Sequence, residues 1–342
     1  MASALIHSSD THPHASREIR TQDFMIPSDT PSIELHIRNK RPAGQSHFDE
    51  ARTVLLMHGA TYSSGSLYDT AIGGYSFMDY LAWAGFNVYA VDVRGCGDSS
   101  RPLEMDLPPA QNPPLVRTET GIRDFASAVK FVLNSAAIAR LNVIGMSWGG
   151  SVTGAFTARN GHQVRKLGLI APQWISDKPI ALDSGGALGA YRIVRASAAR
   201  ERWISAAPAS KQDSLIPAGG FDAWLENTVR TEPDDALRAS KSLRAGNGPI
   251  QDIRDFWAIG KPLYDPAQIE VPVLLVHGEW DIDVPIELAQ AYFLRLSGAP
   301  YKRWLELGEA THMLMLEKNR RQAFDALIGF MQEDESQDAV PA

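Results

Sequence analysis

Two periodicities run through the chain. Ile33-Glu-Leu-His-Ile-Arg alternates apolar and polar positions, which predicts a half-exposed strand, because successive strand side chains point to opposite faces. Five later runs are short and almost wholly apolar: Val54-Leu-Leu-Met, Val88-Tyr-Ala-Val, Leu141-Asn-Val-Ile-Gly, Leu167-Gly-Leu-Ile-Ala and Val273-Leu-Leu-Val. Strands with helices packed on both faces carry this pattern. Between them, Gly121 to Asn134 and Pro285 to Leu296 repeat their apolar residues near the 3.6 spacing of a helix. Repeated strand–helix units behind a two-stranded start predict an α/β sheet, mostly parallel, with an antiparallel edge. The alternation stops between Ile175 and about Asp265, where Ala, Arg, Ser and scattered Trp take over. A structureless loop of that length does not fit inside a compact domain. The segment is therefore expected to be a mainly helical cap over the sheet, with Val271 to His277 resuming the main fold.

These boundaries divide the chain into a core of residues 19–174 and 266–332, a cap of 175–265, and tails of 1–18 and 333–342. The first tail is rich in Ser, His, Asp and Pro and the second is acidic, so neither can bury enough apolar surface to order itself. His7, His12 and His14 leave a metal-binding tract as the other reading of the first tail.

Composition narrows the function. With 33 basic and 40 acidic residues the formal net charge is −7, which argues against nucleic acid as a partner and gives no reason for adhesion to an anionic membrane. No run approaches the ~18 apolar residues of a membrane span. Cys96 is the one cysteine, so the chain has neither a disulfide nor a cysteine-rich zinc site. MASALIHSSDTHPHAS lacks the basic start and apolar stretch of a signal peptide, and a cytoplasmic protein is expected. No cofactor or metal is expected, and the partner is a small molecule bound by a monomer or homodimer.

Chemistry enters at Gly145-Met-Ser147-Trp-Gly149, where an apolar strand meets a helix-compatible stretch. A Ser at a sharp strand-to-helix turn has strained backbone angles, and glycines two residues before and after relieve the crowding. The turn lifts Oγ off the sheet, beside the positive end of a helix dipole. Ser147 is thus the candidate nucleophile, and its base and acid should follow in the order Ser, Asp, His. Asp281, after the strand Val273-Leu-Leu-Val and four residues before Pro285, is the candidate acid; Asp283 and Asp177 are the alternatives. His312, in the loop before the last helix, is the candidate base. The candidate oxyanion hole is the backbone N–H of Trp148 and of Ala60, the latter in His58-Gly59-Ala60-Thr61 after the strand Val54 to Met57. His58 is expected to tie that loop down, and His36, His47, His162 and His277 read as structural.

With these segments in place, the chain resembles the α/β-hydrolase superfamily from about residue 24 to 332. Asp92-Val-Arg-Gly-Cys-Gly-Asp-Ser fits that family's D-x-x-G-x-G-x-S turn, in which Arg94 and Asp98 are expected to anchor the loop. Thr311 stands before His312 where the family often has Gly. The resemblance implies an α/β-hydrolase fold: an eight-stranded, mostly parallel sheet flanked by helices, with the cap inserted after strand six. Ser at 147, where related dehalogenases and epoxide hydrolases carry Asp, points away from those activities, and Ala60 replaces the Asn that halide binding uses. What remains is a serine hydrolase acting on a small-molecule ester, with amide or peptide cleavage, C–C bond hydrolysis, acyl transfer and a non-catalytic small-molecule receptor as alternatives.

Six tryptophans lie near the expected cleft: Trp148, Trp174 and Trp280 beside site segments, and Trp203, Trp224 and Trp257 in the cap. Thr61, Tyr62, Trp174, Trp203, Trp224 and Trp257 are the expected pocket residues, favouring an apolar or aromatic substrate. One of Arg192, Arg195, Arg200 and Arg202 is a candidate for a substrate carboxylate. Glu201, Asp222 and Glu226 are candidates for the free amine that a proline iminopeptidase, similar in Ser-Trp-Gly-Gly, would bind. Gly74-Tyr-Ser-Phe-Met-Asp-Tyr-Leu and Asn112-Pro-Pro-Leu-Val-Arg resemble bacterial esterases, including phthalate-monoester hydrolases. The Pro-rich stretch Arg101 to Pro114 is expected on the rim of the cleft.

Overall fold

The apolar runs become the strands of one sheet. A computed structural model describes residues 18–176 and 182–333. The expected tails fall almost wholly outside the described residues, as does Asp177. The strands in chain order are β1 (Ile19–Pro27), β2 (Glu34–Pro42), β3 (Thr53–Met57), β4 (Asn87–Val91), β5 (Leu141–Met146), β6 (Val164–Ile170), β7 (Tyr191–Arg195), β8 (Ser242–Gly246), β9 (Val273–Gly278) and β10 (Lys302–Leu307). Eight of them form a sheet in the order β1-β2-β4-β3-β5-β6-β9-β10. β1 pairs antiparallel with β2 and β2 with β4, and every other pairing is parallel. This is the mostly parallel sheet with an antiparallel edge that the patterning predicts.

The wholly apolar strands are explained by what covers them. On β3, Val54 and Leu56 pack with Phe77 and Phe324 on one face, while Leu55 and Met57 pack with Phe125 and Phe156 on the other. Phe77 and Phe324 belong to the helices Phe77–Trp83 and Arg320–Gln332; Phe125 and Phe156 belong to Thr118–Ala136 and Trp148–Asn160. All four β3 side chains are fully buried, each contributing about 1.5–3 kcal/mol relative to exposure. β3, β5, β9 and β10 are mutually parallel in sense, so their carboxyl ends open on the same edge, where α/β sheets gather their ligands.

The segment between β6 and β9 departs from the expectation in one respect. Besides helices, among them Ala199–Ser205, Gly220–Arg230 and Gly248–Asp255, it contains the antiparallel ribbon β7–β8. The sequence pattern misses these strands because β7, Tyr-Arg-Ile-Val-Arg, is half-exposed and rich in arginine, so no apolar run marks it. The Pro-rich stretch Arg101 to Pro114 packs against the ribbon, with Ala190 N–H donating to Pro109 O at 2.8 Å and the Tyr191 hydroxyl to Leu107 O at 3.1 Å. Among the described residues no helix is long and apolar enough to cross a membrane.

Candidate active site

β5 delivers Ser147 to the carboxyl edge and stops there. Ser147 adopts φ 56° and ψ −123°, a conformation that L-residues rarely hold, and the helix Trp148–Asn160 starts at the next residue. The flanking glycines follow from the geometry. A Cβ on Gly145 would overlap Thr153 Oγ1, and one on Gly149 would overlap His58 O. The Ser147 N–H is held by Ile170 O at 2.9 Å, and its carbonyl accepts from Gly150 N–H at 2.8 Å. Among the described residues, neither the Trp148 N–H nor the Ala60 N–H has a hydrogen-bond partner.

Asp281 and His312 meet beyond the ends of β9 and β10. His312 Nδ1 lies 2.7 Å from Asp281 Oδ2, and the other carboxylate oxygen, Oδ1, accepts the N–H groups of Asp283 at 2.9 Å and Val284 at 2.8 Å. Burial pushes the imidazolium of His312 down, but the adjacent Asp281, with Asp283 behind it, raises it to about 9; Arg202 opposes them. Asp283 pairs instead with Arg202. Asp281, Asp283 and His312 offer ligand atoms within 4.8 Å of one another, yet each is already engaged by these contacts. His277 is fully buried, donates Nε2–H to Val284 O at 2.8 Å and stacks on Trp304, a structural role.

Ser147 and His312 line the same cavity, of about 310 Å³, a size that suits a small organic substrate. Ala60, Thr61 and Tyr62 reach it from the core, and Trp203 and Trp224 from the inserted segment. Trp174 and Trp257 do not. Their rings lie 5.5 Å apart in a buried cluster with Tyr264 and Tyr292, covering the sheet and not the cavity. The Trp148 side chain points away too, its indole N–H donating to Thr118 Oγ1 at 2.9 Å. Of the four candidate arginines, Arg195 and Arg202 line the cavity; Arg192 contacts Thr61, and Arg200 is exposed. Glu201, Asp222 and Glu226 are not part of the wall, nor is any residue from Arg101 to Pro114.

The sequence pattern of the α/β hydrolase fold matches residues 52–319. The chain belongs to this family. Solved structures agree on the fold. A serine hydrolase from the polyaromatic-hydrocarbon-degrading bacterium Cycloclasticus zankles superposes with a TM-score of 0.59 at 16% identity, covering 91% of this chain and 98% of that one. A 2-hydroxy-6-oxo-6-phenylhexa-2,4-dienoate hydrolase from Rhodococcus sp. strain RHA1 gives 0.58 at 17%, covering 92% and 99%. Naproxen esterase from Bacillus subtilis gives 0.57 at 17%, covering 91% and 92%. No protein of curated function matches this sequence.

Two features hold the loops of this α/β-hydrolase fold in place. His58, fully buried, accepts the Val93 N–H at Nε2 (3.2 Å), which leaves the proton on Nδ1 to donate to Gly59 O at 2.7 Å. Burial pushes its pKa down and keeps it neutral. In the D-x-x-G-x-G-x-S turn, Arg94 pairs with Asp124 and Asp29, while Asp98 reaches Arg230 of the inserted segment; Asp92 anchors the turn, accepting the Ser64 N–H at 2.8 Å.

Sequence reasoning missed Glu317. It is fully buried and accepts the Thr311 N–H at 2.9 Å, the Thr311 hydroxyl, and the indole N–H of Trp203 at 2.7 Å. One carboxylate thus ties the residue before His312 to a cavity wall on the inserted segment, which gives Thr311 a purpose that Gly would lack. The signal was present as an acid ending the apolar run Met313-Leu-Met-Leu. Glu317→Ala leaves two buried N–H donors without acceptors and is expected to lower stability by about 2–6 kcal/mol, at about 1–3 kcal/mol per orphaned group. Glu317→Gln, whose amide oxygen can serve only one side, should fall in between, as denaturant midpoints will measure.

Proposed function

We propose that the chain is a serine hydrolase that cleaves a carboxylic ester of a small, largely apolar or aromatic substrate through an acyl-enzyme on Ser147. The observation that carries this reading is the 2.7 Å contact between His312 and Asp281, with His312 sharing a cavity wall with the strained Ser147. In this reading Asp281 keeps the Nδ1–H tautomer, so that Nε2 of His312 takes the Ser147 proton as Oγ attacks the ester carbonyl carbon. The negative charge formed on the carbonyl oxygen is met by the N–H groups of Ala60 and Trp148. His312 then gives its proton to the departing alcohol, and a water, activated by the same base, releases the acid. Residues 175–265 act as the cap that closes the apolar side of the site, Trp203 and Trp224 of the cap forming an aromatic wall with Tyr62 of the core.

Ester cleavage is favoured over aminopeptidase action by the wall's charges. Asp283 is its one carboxylate among the described residues, and it is engaged by Arg202, so no free acid meets a substrate amine. A fluorophosphonate probe should label Ser147, and a panel of aryl esters, monoalkyl phthalates, amino-acid anilides and a diketone should show turnover of esters first. Absence of labelling with tight ligand binding intact would mean a receptor. Rapid anilide or diketone cleavage with inert esters would replace esterase by peptidase or C–C hydrolase.

A further inference from the structure

Arg192 stands on β7 of the inserted segment, and its guanidinium reaches back to the core. Nη2 donates to Thr61 Oγ1 at 2.8 Å, and Nη1 donates to Gly246 O at 2.8 Å and to Asn247 Oδ1 at 3.4 Å. All three acceptors are neutral, and among the described residues Arg192 has no carboxylate partner. Arg94 and Arg244, which are buried, pair with Asp124 and Glu232, whereas Arg192 is half-buried. Desolvation pushes the Arg192 guanidinium down to about 10, although Tyr62 and Cys96 pull it upward; Arg202 adds to the lowering. A cation partly withdrawn from water without a counter-charge is less favourable in the resting protein than a paired one.

Its location gives that cation a use. Thr61 directly follows Ala60, and both line the cavity with Ser147 and His312. His58 pins the start of this loop through Gly59 O, and Arg192 pins its other side through Thr61. We infer that Arg192 is a positioning residue for the hydrolysis proposed above: through Thr61 it fixes the Ala60 N–H, and its positive charge stands behind the loop where the oxyanion forms. The ground-state ester is neutral at that oxygen and gains little from the charge. The tetrahedral intermediate carries a full negative charge there and gains most, so the effect falls on kcat.

The test compares Arg192→Met, Arg192→Lys and Thr61→Val with the wild type on one neutral and one carboxylate-bearing aryl ester. Losing a direct oxyanion donor costs roughly 100- to 1,000-fold in kcat, and a group acting through one residue should cost roughly tenfold to a hundredfold. Arg192→Met should show that fall with KM little changed, Thr61→Val a smaller one, and Arg192→Lys a partial recovery. Affinity for an arylboronic acid, whose adduct on Ser147 is tetrahedral and anionic, should fall in parallel with kcat, while affinity for the product alcohol holds. A structural brace would lower the melting temperature and leave kcat and boronate affinity unchanged, which would overturn the inference. So would an effect confined to the KM of carboxylate-bearing esters. If Arg192→Met does not fold, the other two variants decide by the same readouts. Failure of the hydrolase reading itself is distinguishable: the wild type would then resist fluorophosphonate and hydrolyse no ester.

Discussion

Ser147→Ala is expected to lower kcat for ester hydrolysis by on the order of 10⁵- to 10⁶-fold and to leave the fold intact, since the proposed mechanism loses its nucleophile whatever else is retained. The structure explains why the loss should read as chemistry. Among the described residues the Ser147 hydroxyl donates no hydrogen bond that the fold depends on, and its backbone contacts to Ile170 and Gly150 are kept by Ala. The backbone at φ 56° and ψ −123° stores strain on the order of 1–3 kcal/mol in any residue with a Cβ. Ser147→Gly should therefore be equally inactive yet no less stable than the wild type, because relief of that strain offsets glycine's extra chain entropy of about 1 kcal/mol. Calorimetry and active-site titration on the three proteins check both halves. A Ser147→Ala protein whose turnover stays within about a hundredfold of the wild type would remove Ser147 from the mechanism.

The strand-to-helix turn at Ser147 was legible in the sequence because its signal is local. An apolar run, two glycines and a serine all lie within one strand-to-helix turn, and the clashes at Gly145 and Gly149 arise from neighbours that the fold always brings there. Edges were harder to read. β1 is a half-exposed mixture of polar and apolar residues, and β10, Lys-Arg-Trp-Leu-Glu-Leu, has only partial cover, so neither produces the run that marks a strand with helices on both faces. Tryptophans exposed a different limit. Trp203 and Trp224 reach the cavity while Trp174 and Trp257 sink into the aromatic cluster over the sheet, and side-chain direction, which composition does not encode, separates the two pairs. Glu317 escaped for the same reason, because it reaches Trp203 across a long sequence separation, and Arg192, a candidate only for a substrate carboxylate, was not placed against Thr61.

Asp281→Asn is expected to lower kcat by about 10⁴-fold, and Asp283→Asn by less than about fivefold, the most that a partly exposed ion pair of 0–1 kcal/mol supports. The difference follows from one hydrogen bond. Asp281 Oδ2 accepts from His312 Nδ1, so Nε2 is left free to take a proton. The side-chain amide that Asp281→Asn introduces can donate to Nδ1, which moves the imidazole proton to Nε2 and removes the base. Asp283 is engaged by Arg202 and contributes only a lesser pull on His312. The pH profile separates the two residues further. His312 is raised to about 9, so its inactive, protonated form persists well above the ordinary histidine value near 6.5, and kcat/KM of the wild type should climb with pH up to about 9. The ion pair's contribution to stability has the opposite slope: it is complete below about 6.5, where His312 is protonated in both folded and unfolded chains, and is lost as pH rises through about 9. In Asp281→Asn the attraction and hydrogen bond that raise His312 are gone while its burial remains, so the acid limb of the residual activity should move to lower pH. Asp283→Asn should shift it slightly in the same direction. If Asp283→Asn gives the larger loss and the larger shift, Asp283 is the orienting acid and the assignment of Asp281 fails.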